Sequence, residues 1–125
     1  MAVPSTAPHR HDVLVIGGGP AGSAAGYWLA EAGHDVLIVE KKVFPRDKTC
    51  GDGLTPRAVR QLQDMGLEHR LEDHHRYDGL RAVAHGVTLE LNWPDHPRFP
   101  NYGYVVRRRD LDEFVADHAV KAGAQ

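Results

Sequence analysis

Apolar residues along this chain alternate between short continuous runs and helical spacing, and the switches between them mark out its elements. Asp12–Ile16, DVLVI, is a β-branched run ending on glycines, which predicts a strand buried on both faces. GGGPAG follows, then SAAGYWLAEAG, whose apolar spacing is helical and which Gly33 closes as a C-terminal cap. Asp35–Glu40, DVLIVE, predicts a second strand, so the first forty residues read as a βαβ unit. Thr55 and Pro56 then make an N-cap and first helical position for PRAVRQLQDM, which should stop at Gly66. LEHRLEDHH predicts a shorter helical piece. LRAVA and VTLEL alternate about His85-Gly86 and predict an antiparallel hairpin. WPDHPRFPNYG, with its three prolines, is loop; YVV is a short strand, and RRDLDEFVADHAVKAG returns to helical spacing.

The first and last helices share a closing Ala-Gly. The first leads into a parallel strand, whereas the last stops at VKAGAQ. A parallel sheet of two long strands leaves its edges uncovered. The fold class expected is therefore α/β, a Rossmann-like βαβ unit with a β-hairpin crossover, incomplete at the C-terminus. Residues 12–125 would be the N-terminal part of a larger domain, with 1–11 a loose tail; the alternative is a frayed C-terminal helix on a complete small domain.

Composition narrows the classes. Apolar residues make up 42% and charged residues 26% of 125, and the net charge is −2. That is ordinary for a globular chain and provides no basic field for nucleic acid. One cysteine builds no internal disulfide, and no apolar run is long enough to span a bilayer, so a cytoplasmic setting is expected. Nine histidines invite a metal site, but His69, His74 and His75 lack ligand spacing, and no metal is expected.

The candidate chemistry begins at Gly17, Gly19 and Gly22, the G-x-G-x-x-G pattern between a strand and a helix. The first glycine permits the tight turn, the second admits a pyrophosphate against the backbone, and the third packs helix on strand. The helix N-terminus offers N–H groups and a positive dipole end to phosphates. Glu40 closes the second strand at about the spacing, roughly 20 residues, where an acid accepts ribose hydroxyls. It would repel a 2′-phosphate, a preference that Lys41 and Lys42 soften. NAD and FAD both satisfy this much.

The loop DKTCGDGLTP, residues 47–56, favours the longer cofactor, because an NAD-only unit needs no glycine-rich loop after its second strand. Gly51 and Gly53 there would permit backbone conformations closed to other residues. Cys50 is either a small buried side chain or a thiol beside cofactor or substrate, with Arg46 and Lys48 favouring its thiolate and Asp52 opposing it. Arg107, Arg108 and Arg109 precede a helix N-terminus, the wrong end for cations unless an anionic ligand is near.

VIGGGPAGSAAGYWLAEAGHDVLIVEKK with PRDKTCGDGLTP resembles the start of the geranylgeranyl reductase family, FAD-dependent isoprenoid and menaquinone side-chain reductases of the para-hydroxybenzoate hydroxylase superfamily. Cys50-Gly51-Asp52-Gly53 discriminates it from flavin halogenases, and Arg108-x-x-Leu111-Asp112 is similar to the family's Arg-x-x-Phe-Asp, with leucine for the aromatic. The resemblance implies that Gly17, Gly19, Ala21 and Gly22 line the FAD pyrophosphate and Glu40, with Lys41 beside it, holds the adenosine ribose. It further implies that Gly51, Asp52 and Leu54 border the cofactor, that Arg108 is the flavin-site arginine, and that Cys50 lies near the isoalloxazine as a candidate catalytic group. The implied reaction is reduction of an isoprenoid C=C bond in a lipid or quinone, with NAD(P)H as a possible electron donor and peripheral membrane contact through a missing part. A flavin monooxygenase or halogenase relative and a non-catalytic nucleotide-binding remnant are the alternatives.

Overall fold

The structure, a computed structural model, describes residues 10–125. The expected tail at 1–11 therefore lies outside the described residues except for Arg10 and His11; the His11 ring nitrogen sits 3.2 Å from the Asp35 carboxylate. In chain order the elements are β1 (Val13–Ile16), α1 (Pro20–Glu31), β2 (Val36–Val39), β3 (Gly53–Leu54), α2 (Pro56–Asp64), a 3-10 turn (Glu68–Arg70), β4 (His75–Tyr77), β5 (Gly79–Ala84), β6 (Val87–Asn92), β7 (Gly103–Val105) and α3 (Arg108–Ala122). They form two compact units. One comprises the described residues up to Lys48 together with Arg109–Gln125, the other Thr49–Arg108.

In the first unit β1 and β2 run parallel with Val13 opposite Val36 and Ile16 opposite Val39. Val13, Val15, Val36 and Ile38 point to one face, where they pack with Tyr27, Leu29 and Ala30 of α1 and with Ala119 and Ala124. Val36 is fully buried, a contribution of about 1.5–3 kcal/mol. Leu14 and Ile16 on the other face are 58% and 84% exposed, so β1 is covered on one face, not the two its apolar run implied. α1 approaches β2 closely because position 26 is glycine: a Cβ there would run into Ile38. The chain returns to the sheet after α3. The Gln125 N–H donates to Val36 O at 2.9 Å and its carbonyl accepts from the Ile38 N–H at 2.7 Å, the ladder of a parallel neighbour on β2.

All three helices end alike. Gly33, Gly66 and Gly123 take positive φ, and the next N–H reaches back to the carbonyl five residues earlier, as in His34 to Leu29. This glycine ending satisfies carbonyls that would otherwise be orphaned.

In the second unit β7 lies between β3 and β4, antiparallel to both. LEHRLEDHH makes only one 3-10 turn, and His75 opens β4, so the helical expectation fails over its second half. The edge of β7 claims that segment: Arg76 pairs with Tyr104, and its guanidinium lies 4.0 Å over the Tyr102 ring. The hairpin β5–β6 forms as expected, with both His85 and Gly86 at positive φ as a type I′ turn requires. Its register puts Leu80, Ala82, Ala84, Val87, Leu89 and Leu91 on one face, and the larger of these are at least half exposed.

Candidate functional site

The glycine turn of the first unit is pinned from three sides. The Gly17 N–H continues the sheet ladder to Val39 O at 2.8 Å, and Gly17 has φ 102°, open only to glycine without strain. The buried Ser23 hydroxyl donates to Gly18 O at 2.8 Å, and the Gly18 N–H donates to Glu40 Oε2 at 2.8 Å. Any side chain at Gly22 would collide with the Gly17 carbonyl oxygen, so the third glycine of the pattern seats α1 on the turn itself. Gly19 is the N-cap of α1, Pro20 opens it, and Ala21 is exposed in the first turn. No side chain caps this end and no acid lies in its first turn, so the helix supplies no anion of its own to its positive pole.

Glu40 sits at the end of β2, half-buried. Its Oε2 accepts from Gly18 and its Oε1 from the Lys42 N–H at 3.0 Å. Those backbone donors, with Arg46 nearby, hold its pKa below the ordinary carboxylate value. A carboxylate has about four acceptor directions, and the two N–H groups leave others for hydroxyls. Lys41 is exposed at the rim of a pocket of about 210 Å3 lined by Glu40, Lys42, Arg46, Asp47 and Lys48.

Arg46 does something other than the task the sequence suggested for it. Its Nη1 lies 3.0 Å from Oδ2 of Asp112, which is fully buried just past the first turn of α3, and its Nη2 is 3.9 Å from Glu40 Oε2. The guanidinium lies 5.0 Å over the Phe44 ring. Breaking such a buried pair by removing one partner costs about 3–5 kcal/mol. Arg46, Ser23 and the aspartate of Arg108-x-x-Leu111-Asp112 were not singled out as site residues, because only packing reveals which partners they choose.

The second unit carries the remaining candidates. Asp52 takes φ 53°, a left-handed conformation that aspartate tolerates. Its Oδ1 accepts from the Arg108 N–H at 3.0 Å and its carbonyl from the Val106 N–H at 2.8 Å, which ties the loop to the β7–α3 junction. The unusual backbone therefore falls on Asp52; Gly51 and Gly53 keep negative or extended φ, with open space or ordinary contacts where a Cβ would be. Leu54 is buried in β3, and its carbonyl accepts from the Tyr77 hydroxyl at 3.1 Å.

Cys50 is exposed, not a core side chain. A hydrogen bond from the Arg108 side chain, then one from the Asp52 N–H, lowers its pKa below the ordinary thiol value. The thiolate partner is thus Arg108 in place of Arg46 or Lys48, and Asp52 helps through its backbone. Arg108 and Arg109 stand within the first turn of α3, not ahead of it, and Arg109 reaches Asp47 at 3.9 Å.

The donors and acceptors of the first unit fit a dinucleotide: an uncapped helix N-terminus, a turn closed to any Cβ at Gly22, and an ionised acid at the strand end. Comparison with known proteins agrees. Residues 10–125 match the family described as FAD binding domain, and the chain belongs to that family. Among curated proteins it is similar to the menaquinone reductase of Mycobacterium tuberculosis, 52% identical over 91% of this chain, and to digeranylgeranylglycerophospholipid reductase 1 of Methanothermobacter thermautotrophicus, 35% identical over 91%. The chain spans 28% of the length of each. Among solved structures it superposes on the myxobacterial chondrochloren halogenase, a FAD-dependent halogenase, with a TM-score of 0.83 and 28% identity, covering 94% of this chain and 28% of that one. Among the described residues no helix is long and apolar enough to cross a membrane.

Proposed function

We propose that this chain is the FAD-holding part of a flavin-dependent oxidoreductase that reduces isoprenoid C=C bonds, with a menaquinone side chain or a geranylgeranyl lipid as substrate. The observation that carries it is the ionised Glu40 bonded to the glycine turn beside an uncapped helix N-terminus. Similarity to a menaquinone reductase and to a geranylgeranyl-lipid reductase supports the substrate class.

In this reading Gly17, Gly19, Ala21 and Gly22 bring backbone to the pyrophosphate, and Glu40 accepts the hydroxyl protons of the adenosine ribose, with Lys41 at its rim. Asp52 orders the loop of Gly51 and Leu54, and Arg108 faces the flavin side. FAD, once reduced by a donor such as NAD(P)H, supplies the hydride that alkene reduction needs. Cys50, held toward its thiolate by Arg108, is the candidate for the proton at the second alkene carbon; it would have to be protonated to give one, so alkene reduction should favour the more acidic side of neutrality. Such substrates reside in membranes, and peripheral membrane contact is part of the proposal.

Similarity to a FAD-dependent halogenase at a TM-score of 0.83 supports a second reading, an oxygen-using flavin enzyme. One assay separates them. The whole oxidoreductase of which this chain is proposed to be the FAD-holding part, the chain alone being expected to be inactive, is incubated with FAD, NAD(P)H and menaquinone under nitrogen, and the side chain is analysed by mass. A gain of two hydrogens without oxygen is expected; product that requires oxygen and carries a hydroxyl or halogen overturns the reductase reading.

A further inference from the structure

We propose that Arg46, clamped by Asp112, is a positioning residue for the Glu40 carboxylate, so that the buried pair belongs to the cofactor site and not only to the scaffold. The inference rests on the FAD reading above. Three elements meet in one unit: Glu40 ends β2, Arg46 lies in the loop after it, and Asp112 is in α3. Asp112 is fully buried, with Oδ2 3.0 Å from Arg46 Nη1. Phe44 lies beneath the guanidinium, whose Nη2 is 3.9 Å from Glu40 Oε2. That same nitrogen is 3.6 Å from where a Cβ on Gly19 would stand, at the N-cap of α1.

A pair serving the scaffold alone does not need its cation beside the glycine turn. A cation at the positive pole of a helix is repelled by it, and an apolar pair of similar volume would often be as stable. The placement makes sense if the cation acts on Glu40. Backbone N–H groups fix one bond to each carboxylate oxygen, and Arg46 leans on Oε2 from a third direction. The carboxylate is thereby held in one rotamer and kept charged, with its free acceptor directions fixed toward the ribose. The other charged groups facing Glu40 are Lys41, Lys42 and Lys48 with Asp47, all exposed. Screening leaves Arg46 as the effective partner.

The test titrates FAD into the purified protein, following flavin fluorescence from neutral into acid pH. Two variants are compared: Asp112→Asn, and the pair Arg46→Met with Asp112→Leu, which removes both charges so that neither is orphaned. Circular dichroism and melting confirm that each is folded. The pair is expected to weaken FAD binding about tenfold at neutral pH and to move the acid loss of binding to higher pH. Asp112→Asn keeps the cation but loosens its clamp, so it should give part of the affinity loss without moving the acid limb up, and it decides the matter alone if the pair fails to fold. In a Glu40→Gln background the pair should cost nothing further, since its effect passes through that carboxylate. Folded variants with unchanged affinity and acid limb overturn the inference, as do losses that simply add to that of Glu40→Gln. Wild-type protein that does not bind FAD overturns the FAD reading as well, whereas binding that ignores the variants overturns this inference alone.

Discussion

Cys50 and Glu40 have their charge set by neighbours, and each predicts a pH dependence. Cys50 accepts from the Arg108 side chain and the Asp52 N–H, so its thiolate forms below the ordinary thiol range. Its alkylation by iodoacetamide should therefore reach half its limiting rate at a lower pH than a free cysteine does. Arg108→Met should move that midpoint up while leaving the backbone bond from residue 108 to Asp52 in place; an unmoved midpoint would show that Arg108 does not govern the thiol. Glu40 behaves in the same direction for a different reason, backbone N–H groups from Gly18 and Lys42. Its pKa is lower folded than unfolded, so its stabilisation is complete above the ordinary carboxylate value and fades as pH falls through the lowered one. Chemical denaturation across that acid window should show a slope in the wild type that Glu40→Gln flattens. The same substitution should cost roughly tenfold or more in FAD affinity at neutral pH, since the bonds lost are to a charged acceptor.

At the scale of elements, the glycine turn is the rigid part and the hairpin the tolerant one. Gly22→Ala drives a methyl into the Gly17 carbonyl, a backbone atom that cannot swing aside, and overpacking of this kind costs about 1–3 kcal/mol. Urea denaturation should show that loss, with weaker FAD binding alongside; an alanine variant of wild-type stability would mean the turn can yield. Leu89 is 52% exposed on β6, and Leu89→Thr puts a β-branched residue, favoured in strands, in its place, so the change should stay within about 0.5 kcal/mol. Local signals account for why the first three elements, the hairpin and the glycine helix endings were legible in sequence. The segment at 67–75 was not: its spacing fits a helix, but β7 offers an open edge and His75–Tyr77 takes it. Tertiary pairing outweighs a weak local preference.

For the whole molecule, the candidate residues divide between two units. Gly17, Gly19, Ala21, Gly22, Glu40 and Lys41 belong to one, Cys50, Gly51, Asp52, Leu54 and Arg108 to the other. A ligand that binds only the folded state stabilises it by mass action. FAD at about 100 times its Kd should add ~2.7 kcal/mol and raise the melting temperature, while AMP at the same concentration should do much less. A melting temperature indifferent to FAD would remove the cofactor from the reading.

By itself the sequence determined the βαβ start, the fingerprint at Gly17, Gly19 and Gly22, the acid at Glu40 and the glycine that closes each helix. These depend on neighbours within a turn or a strand, where steric limits on φ and hydrophobic period act directly. Only the tertiary structure decided that Arg46 belongs to Asp112, that Cys50 answers to Arg108, that Asp52 takes the left-handed backbone and that β4 is a strand. Those are choices among distant partners, made by packing and by the cost of leaving a buried charge or a strand edge unpaired, and no local spacing records them.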